Sequence, residues 1–406
     1  MRIGLFSETY HPYISGVVTS ILTLKKALEK MGHEVYVVTI NQEKNKYEYK
    51  DRVLKIPGIK AGIYDDVKVA TFYSLRSTNQ IKKWNLDIIH THTEFSMGIY
   101  GRILSKQFNI PLVHTYHTML EDYVYLVTKG LFDKPVKKIL KHFVVFNCNK
   151  MVSELIVPTK KTYDLFKNKY NMSRNIHIIP TGIDIKRFDN KNFDSKEILN
   201  LRKRHNISSN DFVLLSISRV SKEKNIDFLI ENQLKMKENV KLVIIGDGPY
   251  KKDLEKKVNK LNLNNNVIFV GKIEWKDIPL YYQLGDVFVT ASKTETQGLT
   301  VNEALASSIP VVCINDSSYK SSVFDNVNGM FFKTKKEYVD KIKLIIEDKN
   351  MYKKMCVSAK KSSIDFSEEI FGKKVLSVYE SALKNKKARK FDVLFKKRSL
   401  YDSSKS

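Results

Sequence analysis

Arg2-Ile3-Gly4-Leu5-Phe6, then Val17 to Met31, then Glu34-Val35-Tyr36-Val37-Val38-Thr39-Ile40 is the stretch that decides the fold. The first and last segments are short β-branched apolar runs, the composition of strands buried on both faces. Between them Val17, Val18, Ile21, Leu22, Leu24, Leu28 and Met31 recur near helical spacing, and Gly32 stands where a helix ends. Strand, crossover helix and strand make a βαβ unit, which implies a parallel sheet. The same alternation continues through strand candidates Asp87–His92, Leu112–His117, Met151–Pro158 and Ile176–Pro180. A polar stretch from Lys186 to Asn210 interrupts it. It restarts with Phe212–Ser218, Lys241–Gly246, Asn266–Val270, Val287–Ser292, Pro310–Asn315 and Gly329–Lys333. Two series of this kind predict two doubly wound α/β domains, with a boundary near 185–210. A last helix over Glu368–Leu383 precedes a basic tail that reads as disordered.

Composition limits the remaining possibilities. The chain has 406 residues, 70 Lys and Arg against 44 Asp and Glu, and a formal charge of +26. At 42% hydrophobic content it has enough apolar surface for sizeable cores. Three scattered cysteines, Cys148, Cys313 and Cys356, form no CxxC pair and argue against a disulfide framework or a zinc site. The N-terminus is acidic by Glu8 and no run reaches 18 apolar residues, so a cytoplasmic, non-spanning protein is expected. A basic surface attracts anions, whether nucleic acid, anionic lipid or a phosphorylated substrate, and charge alone does not choose among them. No helix-turn-helix or RNA-binding aromatic signature stands out, so nucleic acid is not an expected partner.

Ligands of doubly wound domains bind at the carboxyl ends of the strands. No P-loop is present, Gly246-Asp247-Gly248-Pro249 lacks the third glycine of a dinucleotide fingerprint, and no G-x-S-x-G elbow occurs. There is no Asp-x-Asp pair, so neither a metal nor a cofactor is expected. Arg219 directly follows one strand and Lys224 comes five residues later. Two cations beside an oncoming helix suit a diphosphate, although a solvated loop in a Lys-rich chain reads the same way. Farther on, Glu295, Gly298 and Glu303 follow Val287–Ser292. Two carboxylates there suit the hydroxyls of two sugar rings, or else cap a helix. Gly16 lies in the loop after the first strand, where backbone approaches a ligand, and His117 ends Leu112–His117. His90 and His92 share a strand face but have no carboxylate at metal spacing, which favours packing for both.

Together these residues resemble the retaining glycosyltransferases of family 4, which have the GT-B fold: two Rossmann-like domains facing a central cleft. The resemblance covers about 1–385. Phe6-Ser7-Glu8-Thr9-Tyr10, Ile14-Ser15-Gly16-Val17-Val18-Thr19-Ser20 and His114 to Tyr123 are similar to bacterial 1,2-diacylglycerol 3-glucosyltransferases, although Ser15-Gly16 stands where many members have two glycines. The resemblance implies an acceptor-binding domain over 1–190 and a nucleotide-sugar domain over 191–367. It also implies a helix over 368–384 returning to the first domain, and leaves 385–406 as the tail. It implies a UDP-sugar donor, with Glu303 on the ribose, Glu295 on the transferred sugar, and Arg219 and Lys224 on the diphosphate. Gly298, Leu299 and Thr300 would contribute backbone contacts, and His117 with Gly16 would complete the site. The implied reaction moves a hexose, glucose from UDP-glucose, to diacylglycerol. The alternatives are another glycolipid or polysaccharide precursor as acceptor and, remotely, a nucleic-acid-binding protein.

A lipid acceptor requires contact with a bilayer, expected to be the inner face of the cell membrane. Leu131–Phe146 sets Val136, Ile139, Leu140 and Phe143 near one helical face, with Lys134, Lys137, Lys138 and Lys141 around the other. Tyr73–Trp84 ends in Lys82-Lys83-Trp84, basic with an interface-favouring indole. Either stretch also reads as a plain crossover helix.

Overall fold

The computed structural model describes residues 1–13, 15–60, 68–119, 133–150 and 152–402, with backbone alone at residues 60, 133, 134, 150 and 387–402. The chain forms two compact units, Met1–Gly182 with Glu369–Ser406, and Ile183–Glu368.

The first unit contains strands β1 (Arg2–Ser7), β2 (Glu34–Ile40), β3 (Glu48–Lys50), β4 (Val53–Ile56), β5 (Ile59–Lys60), β6 (Lys68–Val69), β7 (Ile88–Thr91), β8 (Leu112–Thr115), β9 (Glu154–Val157) and β10 (Ile176–Ile178). Its eight-stranded sheet runs β10-β9-β8-β7-β1-β2-β4-β3. All neighbours pair in parallel except β3, which returns antiparallel to β4. Both faces are covered. On one, Ile3, Leu5, Val35 and Val37 pack with the helix Gly16–Lys30 and with Phe371, Val375, Val378 and Tyr379 of the C-terminal helix. On the other, Phe6, Val38, Ile40 and Ile89 pack with Trp84, Met97, Tyr100 and Leu104. The hairpin β3–β4 gave no signal in the sequence because Asp51 and Arg52 both take positive φ there, without the Asn-Gly or Asp-Gly that usually marks such a turn.

The second unit holds β11 (Phe212–Ile217), β12 (Val240–Ile245), β13 (Val267–Gly271), β14 (Val287–Thr290), β15 (Val311–Ile314) and β16 (Gly329–Phe332), in the order β13-β12-β11-β14-β15-β16. Every pairing in it is parallel. Strand order reverses between β11 and β14, and in the first unit between β1 and β7. Loops diverge at such points and leave a crevice at the carboxyl ends. The polar stretch 186–210 is not featureless: Asp194 caps a helix over Ser195–Arg204 whose Leu201 is buried.

The C-terminal helix runs from Glu368 to Asp402, beyond the expected end at Leu383. The physical reason is composition. From Lys384 onward Lys, a good helix former, is the commonest residue and neither Gly nor Pro intervenes, so nothing terminates the helix. Gly372 permits its close approach to the helix Gly16–Lys30, since a Cβ there would lie 2.6 Å from that of Ala27. Among the described residues no helix is long and apolar enough to cross a membrane.

Candidate functional site

In the second unit the residues after β11 and β14 form one constellation. Arg219 is exposed, and the segment that carries it lies directly on the Gly246–Pro249 turn. Val220 N–H donates to Asp247 O at 3.0 Å and Tyr250 N–H to Val220 O at 3.1 Å. A Cβ on Gly246, where φ is +133°, would stand 1.9 Å from Ser218 O, and one on Gly248 would stand 2.3 Å from Val220 O. These glycines therefore fix the Arg219 segment rather than bind a dinucleotide. Lys222–Lys224 form a 3₁₀ turn that ends at Asn225 in the left-handed region, φ +54°. Asn225 Nδ2 donates to Ala291 O at 3.3 Å and ties this loop to the one after β14. Lys224 Nζ then meets Glu295 Oε1 at 2.5 Å, with both side chains about four-fifths buried. The two groups assigned separately from sequence form one ion pair.

Gly298 starts the helix Leu299–Ala306 at φ +77°, and a Cβ there would stand 2.7 Å from the Tyr319 ring. Tyr319 is itself fixed, because its hydroxyl donates to Ser292 O at 2.9 Å. The backbone N–H groups of Leu299 and Thr300 belong to the first helical turn, where no intrahelical acceptor exists. One turn on, Glu303 Oε2 accepts from Tyr282 Oη at 2.7 Å. Burial pushes the Glu303 carboxyl up to about 7, while Tyr282 and the positive charge of Arg187 oppose the rise. Arg187 stacks 3.6 Å above the centre of the Trp275 ring. Glu303 is thus held by a side chain from another helix rather than acting as a capping device.

In the first unit β8 stops at Thr115, two residues before the expected end, and His117 lies just beyond it. His117 Nε2 stands 3.0 Å from His92 Nδ1, with the rings nearly parallel at 18°. Burial and the neighbouring His114 push His117 down to about 3, so it is neutral at ordinary pH. His90 and His92 are both buried, as packing required, and His92 also contacts His117. Gly16 is the first residue of its helix and not part of the preceding loop. Ser15 is extended and caps that helix, accepting from Val18 N–H at 3.3 Å.

Sequence reasoning missed Tyr282 and Tyr319, because contact with a site residue leaves no local pattern, and it read His92 as packing without its contact to His117. Asn225 had a signal, since Asn is among the few residues that accept the left-handed conformation.

Residues 14–187 match the model for Glycosyltransferase Family 4, and 197–362 match that for Glycosyl transferases group 1. The alpha-monoglucosyldiacylglycerol synthase of Acholeplasma laidlawii is 36% identical over 96% of this chain and 100% of its own. That of Streptococcus pneumoniae is 35% identical over 94% and 86%. The chain belongs to glycosyltransferase family 4. Among solved structures, Anabaena HepE with UDP and glucose aligns at TM-score 0.72 and 19% identity, covering 94% of this chain and 100% of that one. Sucrose-phosphate synthase from Thermosynechococcus elongatus aligns at 0.75 and 20%, covering 95% and 99%. The fold is GT-B.

One of this glycosyltransferase's expected membrane contacts needs correction. Trp84 is 5% exposed and stacks on Tyr36 at 4.7 Å between ring centres, so it is a core residue. The reason is that it follows the helix Leu75–Lys83 on its inner side, where the indole fills the space beneath β2. Lys82 and Lys83 remain exposed, and the apolar exposure of this segment lies at its other end, on Phe72 and Leu75. The other stretch is observed as a helix over Asp133–Val145. Val136, Leu140 and Phe143 are half-buried, and Ile139 is 70% exposed. Phe146 and Phe95 are exposed nearby, and Lys137 and Lys138 are exposed on the same helix. Lys141 lies 5.2 Å above the Tyr170 ring, beside a cavity of about 300 Å³ lined by Lys141, His142, Val145, Phe146, Asn149 and Tyr170. Leu131 and Phe132 lie outside the described residues, and so does the side chain of Lys134.

Proposed function

We propose that this glycosyltransferase moves glucose from UDP-glucose to diacylglycerol, with retention of configuration, at the cytoplasmic face of an anionic membrane. The observation that carries the donor half is the convergence of Arg219, the Lys224–Glu295 pair, the Leu299 helix start and Glu303 at the β11/β14 reversal. In this reading the second unit binds the donor and the first the acceptor. Departure of the nucleoside diphosphate builds negative charge on the leaving oxygen. Arg219, Lys224 and the first-turn N–H groups oppose it from fixed positions. Glu295 accepts from hydroxyls of the transferred sugar and Glu303 from those of the ribose. The acceptor is supported by the two relatives named as diacylglycerol glycolipid synthases, and the membrane by Ile139, Phe146 and the lysines beside them.

The test is an assay of UDP-glucose and UDP-galactose with diacylglycerol in mixed micelles, with the anomer of the lipid product read by NMR. An α-glucosyl lipid is expected, and no product from diacylglycerol with either donor would overturn the acceptor. In the same assay EDTA should leave the rate unchanged, because two cations stand where a metal would otherwise balance the diphosphate. A rate abolished by EDTA and restored by magnesium would contradict that assignment.

Glu303 gives a second expected result. It is largely protonated below about pH 7, whereas a ribose diol donates to the ionised form. UDP binding should therefore draw its pKa down, release protons near pH 6.5 and tighten as pH rises through 7. UDP's own terminal phosphate titrates near pH 6 in every variant and cancels in comparison with Glu303→Gln. Calorimetry in buffers of different ionisation enthalpy should find the extra proton in wild type only. Equal release in both proteins removes Glu303 from the ribose.

A further inference from the structure

We propose that Tyr282 is a positioning residue for nucleotide binding. Its hydroxyl turns its single proton from the Thr300 carbonyl to the Glu303 carboxylate as the ribose engages, and so fixes that carboxylate for the diol. The inference rests on the assignment of Glu303 to the ribose. Tyr282 ends the short helix Ile278–Tyr282 and is fully buried. Its Oη lies 2.7 Å from Glu303 Oε2 and 3.1 Å from Thr300 O. Thr300 and Glu303 stand three positions apart on the helix Leu299–Ala306, so a side chain from outside reaches both on one face.

A phenol carries one proton, and two acceptors lie within its reach. An ionised Glu303 has no hydrogen to give, so it takes the one on Tyr282. Thr300 O can then do without it, since a carbonyl has two lone pairs and the helical ladder uses one. A protonated Glu303 instead donates its own O–H to Tyr282 Oη, which leaves the Tyr282 proton for Thr300 O. The carboxyl changes form at about pH 7, with Arg187 of the turn Ile185–Phe188 as the charge that acts on it and Asp184 acting on Arg187 in turn. Burial and the Glu303 carboxyl hold the phenol well above its ordinary range, so Tyr282 keeps its proton throughout and only the direction of its O–H changes. When a ribose diol donates to the ionised form, the proton that Glu303 loses goes to solvent.

The Tyr282 ring is held so that its hydroxyl proton alone is left to turn. Phe188 meets it edge-on with ring centres 5.4 Å apart, and Phe288 lies at 6.2 Å with its plane only 28° away. Both phenylalanines are buried. A carboxylate tethered at one oxygen does not swing about its last bond, so the diol meets it already oriented, and less ordering is left for the nucleotide to impose.

Tyr282→Phe keeps the ring between its two neighbours and removes only the hydroxyl. By calorimetry at pH 8 it should weaken UDP about tenfold, the cost of a hydrogen bond to a charged group, and leave 2′,3′-dideoxy-UDP, which lacks the diol, unchanged. The rise of UDP affinity with pH should also move to higher pH, because the ionised carboxyl has lost a donor. A tyrosine that merely packs would weaken both nucleotides alike, and that result, or unchanged UDP affinity, overturns the inference. Glu303→Gln tells the two readings apart. If it weakens UDP but not dideoxy-UDP while Tyr282→Phe spares both, Glu303 keeps the ribose and the inference on Tyr282 fails. If Glu303→Gln affects the two nucleotides equally, the ribose assignment fails and the inference with it. Spectra of wild type labelled at tyrosine ¹³Cζ depend on no variant's folding: one tyrosine should titrate with the Glu303 carboxyl at about pH 7 and shift again on addition of UDP. If no tyrosine follows that midpoint, the inference is overturned.

Discussion

Glu295→Ala is expected to lower turnover by about 10²–10³-fold, the cost of losing a fixed polar contact made in the transition state, while affinity for UDP stays at the wild-type level or rises. The sign of the second half follows from the ion pair. Without nucleotide, Lys224 is neutralised by Glu295 at 2.5 Å in a site where both side chains are mostly shielded from water. Removing the carboxylate takes away a negative charge that opposes a diphosphate at Lys224, so UDP alone, which has no sugar to lose, gains if anything. Lys224→Ala should do the reverse. It weakens UDP, because it removes a cation and leaves the Glu295 carboxylate without the Lys224 ammonium beside an anionic ligand. Steady-state rates with UDP-glucose and diacylglycerol micelles, set beside calorimetric binding of UDP, read both quantities. Near-wild-type turnover in Glu295→Ala would take Glu295 out of the sugar site, and weakened UDP with unchanged turnover would exchange its role with that of Glu303.

Replacing Lys137, Lys138 and Lys141 together by Gln should cut partitioning onto phosphatidylglycerol vesicles by up to about 10²-fold at low salt, since each lysine near an anionic surface contributes about 1 kcal/mol. The loss should shrink as salt rises and screening shortens the field. Binding of UDP should not change, because these residues belong to the first unit and the donor residues to the second. Lys141 is expected to contribute least, being held over the Tyr170 ring. Ile139→Ser with Phe146→Ser should weaken binding to neutral and anionic vesicles alike, the signature of an apolar rather than a charged contact. Vesicle sedimentation checks both. If both substitution sets leave binding intact and removal of the residues after Leu383 abolishes it, the basic C-terminal segment is the membrane contact and the helix Asp133–Val145 only crosses the sheet.

The sequence by itself determined the parallel α/β architecture, and the reason is that parallel strands are buried on both faces. Runs such as Glu34–Ile40 and Phe212–Ile217 must then be continuous and β-branched, a pattern that stands in the sequence without knowledge of partners. The places of Arg219, Lys224, Glu295, Gly298 and Glu303 after strand ends were legible for a related reason, since a strand's carboxyl end can be read from where its apolar run stops. The order of the strands was not legible, and it is what brings the loops after β11 and β14 together. Only tertiary structure decided that Lys224 and Glu295 are partners, that Tyr282 holds Glu303, that His92 reaches His117 and that Trp84 points into the core. Each of these is a contact between residues tens of positions apart, set by the packing of whole elements, and sequence spacing carries no record of such a distance.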